Sequence, residues 1–271
     1  MTRLKHEDVA AIPQMMADYD RRLFNKTGCP LKEIAARAAG VKLDSRLPRP
    51  KVAVIPMTCG QGIIEGFAQS VAGIIEFLGF TAVITAGRDA GGIAEAIESG
   101  AEILFMADDD RFVAVNVKSA QVSDNGEATG RGYAVALEQI CRGLEDKKVL
   151  VIGAGPVGSG AAKTLAQLGA AVAVYDIRPQ MSRSLADRLN RLGYELVIEE
   201  SLPDALDRHN LYFDASPAEN IIPRENLRTD TIIAAPGIPL GVQADSLKLI
   251  EDRLLHDALQ IGVATMVFDV L

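Results

Sequence analysis

The spacing of apolar residues along this chain changes several times, and each change marks an element. From His6 to Arg22 apolar side chains fall at Val9, Ile12, Met16 and Tyr19, near the repeat of a helix, and a second short helical run extends from Leu31 to Ala39. The polar segment Leu43–Pro50 holds two prolines and reads as a linker. Short apolar runs then alternate with helical stretches. The pattern predicts strands at Lys51–Ile55, Thr81–Thr85 and Glu102–Met106, helices at Ile63–Leu78 and Gly92–Ser99, and a strand or hairpin around Phe112–Val117. Residues 123–132, SDNGEATGRG, hold two turn signals, and a helix over Tyr133–Leu144 bridges onward.

The second half repeats the alternation with apolar strands KVLVIG, AAVAVYD, YELVI, NLYFDA and TIIAA, a sixth near Arg253–Leu255, and a last helix in GVATMVFDVL. Six strands joined by helical crossovers predict a Rossmann-type doubly wound parallel sheet. The fold class expected is therefore α/β, with a C-terminal Rossmann domain and a smaller N-terminal α/β substrate domain preceded by a helix. The divisions fall at 1–46 for the helical segment, 47–130 for the substrate domain, 131–146 for a linker helix and 147–271 for the Rossmann domain. The final helix is expected to return to the first domain.

A length of 271 residues suits two domains, and 48% hydrophobic with 24% charged residues is the balance of a packed enzyme rather than a disordered chain. The net charge of −8, without a basic cluster, gives no reason to expect a nucleic-acid partner. No apolar run approaches the roughly 20 residues of a membrane span, and the N-terminus lacks the apolar core of a signal peptide. The expectation is a cytoplasmic protein with no membrane partner. Cys29, Cys59 and Cys141, like His6, His209 and His256, are scattered, which predicts neither a disulfide framework nor a metal centre.

The strongest chemical signal is GAGPVG. Gly153, Gly155 and Gly158 stand in the spacing of a dinucleotide-binding loop, between an apolar strand and a helix with Ala162, Leu165 and Leu168 on one face. The first glycine permits a tight turn, the second lets backbone approach a pyrophosphate, and the third lets helix and strand pack closely. Ala154, Pro156 and Val157 fill the loop. Asp176 ends the next strand, where an acid accepts hydrogen bonds from the adenosine ribose. Beside it stand Ile177 and Arg178. The acid would repel a 2′-phosphate, favouring NAD over NADP, although Arg178 could offset that. Two further strand ends, with Ser216 and Pro217 in one and Pro236, Gly237 and Ile238 in the other, are expected to line the cofactor; an ordinary turn is the alternative for each residue.

The pieces TCGQGII (Thr58–Ile64) and MADDDRFVAVN (Met106–Asn116) also follow strands, so their loops should face the cleft and bind substrate. Together with ATGRGYA, APGIP and GVATM, in the same order over nearly the whole length, they resemble the pyrrolysine synthase family. The resemblance implies a two-domain NAD-dependent dehydrogenase with an N-terminal helix over the active site, working as a homodimer. It implies as substrate the isopeptide of lysine with 3-methyl-D-ornithine. Oxidation of the terminal amine carbon, loss of ammonia and ring closure would yield pyrrolysine. The chain departs from the family's pattern at Cys59, Gln61, Asp110, Val263 and Thr265, all in or near segments expected to touch substrate.

Within that frame Asp108 is the expected catalytic residue, since an amine must lose a proton before it can expel a hydride, and a strand-end carboxylate can accept it. Its acidic neighbours Asp109 and Asp110 are expected to raise its pKa. Thr58 and the Gly60 and Gly62 amides, with the N-terminus of the helix expected from Ile63, could hold a substrate carboxylate. Cys59 has no histidine partner and reads as a substrate-lining thiol rather than a nucleophile. Asn116 could bind the zwitterionic end of the substrate or cap a strand. Leu4 and the helix after it could simply pack on the core; the resemblance adds a lid role. Two other readings remain open: a dehydrogenase of another small substrate, such as an amino acid or methylene-tetrahydrofolate, and an NAD-binding sensor without turnover.

Overall fold

The computed structural model describes residues 4–271. It opens with α1 (His6–Val9), α2 (Ile12–Thr27) and α3 (Leu31–Ala38). The single helix expected over residues 6–22 is interrupted at Ala10–Ala11, and Pro13, whose missing N–H costs nothing in a first turn, opens the second piece. That piece runs on to Gly28, whose left-handed φ of 73° ends it. Ile12, Met16, Tyr19 and Leu23 form its buried stripe.

The first sheet comprises β1 (Lys51–Ile55), β2 (Thr81–Ile84), β3 (Ile103–Ala107), β4 (Phe112–Asn116) and β5 (Gln121–Asp124) in the order β2-β1-β3-β4-β5. β1 pairs in parallel with β2 and β3, while β4 and β5 add antiparallel. The loops after Ile55 and Ala107 therefore leave the same edge. The crossovers are α4 (Phe67–Phe77) and α5 (Asp89–Glu98). α4 starts four residues later than Ile63 because Gly66, at φ 84°, takes the N-cap in a left-handed conformation; residues 58–66 stay irregular.

Residues 123–132 are not the turns that their glycines suggested. Ser123 and Asp124 complete β5, and α6 (Asn125–Ile140) begins at once, its first turn capped by Asp124 Oδ1, which accepts from the Gly126 amide at 3.0 Å. A Cβ on Gly130 would overlap the carbonyl oxygen of Val157. The glycine costs about 1 kcal/mol of helix propensity and allows backbone-to-backbone packing in return.

The second sheet comprises β6 (Lys148–Ile152), β7 (Ala171–Tyr175), β8 (Leu196–Ile198), β9 (Leu211–Asp214), β10 (Ile232–Ala234) and β11 (Leu254–Leu255). All its pairs are parallel, in the order β11-β10-β9-β6-β7-β8. The order reverses at β6, which places the ligand crevice between the carboxyl ends of β6 and β9. The crossovers in the first half of the sheet are α7 (Pro156–Gln167), α8 (Pro179–Asn190) and α9 (Leu202–Arg208). After β9 the expected helical crossovers are replaced by short 3₁₀ turns at Arg224–Asn226 and Ala244–Leu249. α10 (Gln260–Asp269) packs on α6, α3 and α4 of the first half, with Phe268 edge-on to Phe80 at 5.7 Å between ring centres. No helix among the described residues is long and apolar enough to cross a membrane.

Candidate active site

The carboxyl edges of both sheets open on one cleft of about 760 Å³. The first sheet contributes Gln61, Ile63 and Asp108 to Arg111. The second contributes Gly155, Pro156, Val157, Arg178, Ser216, Pro217, Pro236, Gly237 and Ile238. The strand-end loops expected to line a cofactor thus come together in space.

The phosphate loop has the geometry a dinucleotide requires. Gly153 turns with φ 98°, in the left-handed region. A Cβ on Gly158 would overlap the carbonyl oxygen of Gly153, whereas one on Gly155 would meet no atom within 4 Å. Gly155 therefore faces open space at the N-terminus of α7, where first-turn amides await an anion. Gly153, Ala154 and Gly158 lie behind that surface and shape it. These residues fit a dinucleotide.

Asp176, expected to face the cofactor, does not itself line the cleft and instead braces the loop from behind. Its Oδ2 accepts from the Ala154 amide at 2.8 Å and its Oδ1 from the Arg178 amide at 2.9 Å, and its side chain is only 8% exposed. Each oxygen keeps a second lone pair for a ribose hydroxyl. Arg178 Nε stands 3.8 Å from Oδ1, so its charge is drawn toward the acid. Ile177 is 84% exposed and does not line the cleft.

Asp214 ends β9 and holds two cofactor-side loops together. Its Oδ1 accepts from the Ser216 amide at 3.1 Å and the Ser216 hydroxyl at 2.8 Å, and the carboxylate also accepts from the Gly241 amide. Burial outweighs these bonds and pushes its pKa up to about 6. An acid whose pKa rises on folding stabilises the fold fully below its unfolded value near 4 and loses that contribution as pH rises through 6. Asp214→Asn should therefore show a smaller fall in unfolding free energy between pH 4 and 7 than the parent, by an amount on the order of 2–3 kcal/mol. Denaturant titrations at both pH values check it, and parallel profiles would refute it.

The first-domain loops depart further from expectation. Thr58 gives its amide to Asp89 Oδ1 at 2.7 Å and its hydroxyl to Asp89 Oδ2, bonds that hold the Asp89 carboxyl below its usual range. It has no donor left for a substrate carboxylate. Thr58, Cys59 and Gly60 do not line the cleft; Gln61, Gly62, Ile63 and Ile64 do. The Gln61 amide donates to Asp109 Oδ2 at 2.8 Å, tying the two loops together.

Asp108 lies in the cleft, but its proton affinity moves the opposite way from that expected of three adjacent acids. Its Oδ1 accepts from the amides of Arg111 at 2.7 Å and Asp110 at 2.9 Å, and these bonds hold the carboxyl below its usual range. The group is a fixed anion. Asn116, considered as a substrate ligand, sits at the far end of β4 opposite Ile103, the start of β3. Its Nδ2 donates to the Val270 carbonyl at 2.7 Å, and its Oδ1 accepts from Lys118 and Ser119, so it anchors the C-terminal tail outside the cleft.

Leu4 lines the cleft, and α1 docks on the first domain through His6 Nδ1, 3.0 Å from the Glu65 carbonyl, and Ser70 Oγ, which donates to the Val9 carbonyl at 2.7 Å. Tyr133 and Gly262, from the ATGRGYA and GVATM segments, also line it, as do Asp257 and Leu259, which nothing in the sequence analysis singled out. Asp257 follows β11 as Asp176 follows β7, and a strand-end acid was the signal available.

Residues 8–123 match the family described as pyrrolysine biosynthesis protein PylD, N-terminal domain. Residues 120–257 match alanine dehydrogenase/PNT, C-terminal domain. The chain is 30% identical over its full length to pyrrolysine synthase of Methanosarcina barkeri, covering 98% of that protein. It is 29% identical to the pyrrolysine synthase of Methanosarcina acetivorans over the whole of both. Among solved structures, quinate dehydrogenase of Corynebacterium glutamicum, in complex with NAD, shares the fold at a TM-score of 0.56 and 16% identity, over 82% of this chain and 92% of that one. The motif, the cleft and the full-length likeness agree: the chain belongs to the pyrrolysine synthase family, as an NAD-dependent oxidoreductase built on a Rossmann domain.

Proposed function

We propose that the protein oxidises the terminal amine carbon of 3-methyl-D-ornithyl-N6-L-lysine, the step after which ammonia leaves and the ring of pyrrolysine closes. The observation that carries this reading is the wall opposite the cofactor loops. It bears Asp108, Asp109 and Asp110 around the apolar surface of Phe67 and Phe112, while Asp124 beside them is paired with Arg111. A chain-like substrate with ammonium groups and aliphatic stretches matches that arrangement, because acids hold the cations while the rings cover the methylenes. NAD, when bound at the Gly153–Gly158 loop, supplies the acceptor for a hydride. Asp176 favours it over NADP by repelling a 2′-phosphate.

Mixing the protein with NAD and synthetic isopeptide should raise absorbance at the NADH band and yield the cyclised product by mass spectrometry, more slowly with NADP. No NADH and no product from folded, NAD-binding protein would refute the substrate. An amino-acid or methylene-tetrahydrofolate dehydrogenase would then be tested by substitution of those substrates in the same assay, and a sensor by their common failure. Light scattering tests the homodimer.

Because Asp108 stays ionised, it serves this reaction as an anchor for an ammonium group. Asp108→Asn should raise KM for the isopeptide about tenfold, the scale of a lost charged hydrogen bond, and leave the Kd for NAD unchanged. A collapse of kcat at unchanged KM would restore the proton-acceptor role first expected of it.

A further inference from the structure

The loop between β11 and α10 carries a cleft-lining acid to which the reading above gives no role. Asp257 is 8% exposed and lines the cleft beside Pro236–Ile238, which follow the neighbouring strand β10. The Tyr19 hydroxyl of α2 donates to its Oδ2 at 2.7 Å, and the Ile261 amide, in the first turn of α10, approaches Oδ1 at 3.4 Å. Tyr133 of α6 fixes the backbone of the same residue: its hydroxyl accepts from the Asp257 amide at 2.7 Å and donates to the Asp257 carbonyl at 3.2 Å. His256 is held with Nδ1 2.6 Å from the Ala235 carbonyl. The titratable groups facing Asp257 are Tyr19, Tyr133 and His256.

We propose that Asp257 is the base that removes the proton from the substrate's reacting ammonium, with the Tyr19 hydroxyl positioning its carboxylate. The assignment rests on the amine-oxidation reading above. An N–H bond of the ammonium breaks, its electron pair stays on nitrogen and the proton passes to the Asp257 carboxylate. That pair then forms the C=N bond as the hydride leaves carbon for NAD. Water adds to the iminium and ammonia departs, giving the aldehyde that closes on the α-amine. Asp108 is poorly suited to the first step, because two amides stabilise its charge. Asp257 is buried, and desolvation raises its proton affinity above the usual carboxylate range, against the opposing pull of Tyr19, Tyr133 and His256. That narrows the gap to an alkylammonium, whose pKa lies near 10, and eases the transfer.

The alternative is that Asp257 only joins α2, α6 and α10. Profiles of kcat/KM against pH for the parent, Asp257→Asn and Tyr19→Phe separate the two, with melting and NAD titration on each sample. Asp257→Asn should lower turnover about 10²–10⁴-fold, keep its Kd for NAD within about twofold and lose the acidic limb of the profile. Tyr19→Phe removes a donor that favours the charged carboxylate, so the acidic limb should move to higher pH. A folded Asp257→Asn with the parental limb, or a folded Tyr19→Phe whose limb stays in place, overturns the assignment. Tyr19→Phe alone decides it where the asparagine variant does not fold. If the parent fails to oxidise the isopeptide, the substrate reading falls separately, and calorimetric titration with pentylammonium decides for Asp257. Binding at least tenfold weaker in Asp257→Asn supports its role in holding the ammonium, and equal binding removes it.

Discussion

Deleting residues 1–27 is expected to unfold the protein rather than uncover its cleft. Ile12, Met16, Tyr19 and Leu23 of α2 are all buried. At about 1.5–3 kcal/mol for each such side chain, their burial contributes roughly 6–12 kcal/mol, as much as the whole net stability of a typical domain. α2 is also fastened to the second half of the chain. Tyr19 bonds Asp257, and Lys26 Nζ donates to the Glu251 carbonyl at 2.6 Å and the Leu254 carbonyl at 2.8 Å. The truncated chain should aggregate or melt without a cooperative transition and should bind no NAD. A deletion ending at Val9 is different: it removes α1 and Leu4 but leaves α2 in place. It should lower Tm by several degrees, because Val9 is fully buried, yet keep NAD binding while turnover falls. A long truncation that melts like the parent and still binds NAD would return α2 to the role of a detachable lid.

The lid illustrates what local pattern does and does not encode. An amphipathic stripe announces that a helix will bury one face; it does not say against what. The tether that makes α2 part of the core joins Tyr19 to a residue 238 positions away. The same distance hid Asp257, whose environment is set by α2, α6 and the start of α10 together. The phosphate loop was legible because each glycine's task is local, within one strand, one turn and one helix. Glycines 126, 130 and 132 point to turns rather than to a helix for a related reason. Locally they resemble turn residues, and only the Pro156 ring and the facing backbone of α7, or the Ile261 and Thr265 side chains of α10, show why a helix holds them. Asp108 lines the cleft, but its state depends on two amides that a turn swings onto its oxygen, and counting neighbouring charges gives the wrong direction.

The phosphate loop permits a sharper test than removal of any charged side chain, because two of its glycines are there for different reasons. At Gly158 the obstacle to a side chain is the Gly153 carbonyl, a backbone atom between strand and helix that cannot rotate away. Gly158→Ala must push α7 off β6 or distort the turn, an overpacking cost of about 1–3 kcal/mol or more, so both Tm and NAD affinity should fall. At Gly155 the backbone is extended, with φ −71° and ψ −172°, a conformation open to any residue, and the added Cβ meets no protein atom. Its only neighbour would be the pyrophosphate. Gly155→Ala should therefore melt with the parent while its Kd for NAD rises at least tenfold, a loss of about 1.4 kcal/mol or more. Differential scanning calorimetry and NAD titration on the two variants read both quantities. If Gly155→Ala binds NAD as the parent does, the pyrophosphate does not lie against this loop, and the cofactor must enter the cleft from another side.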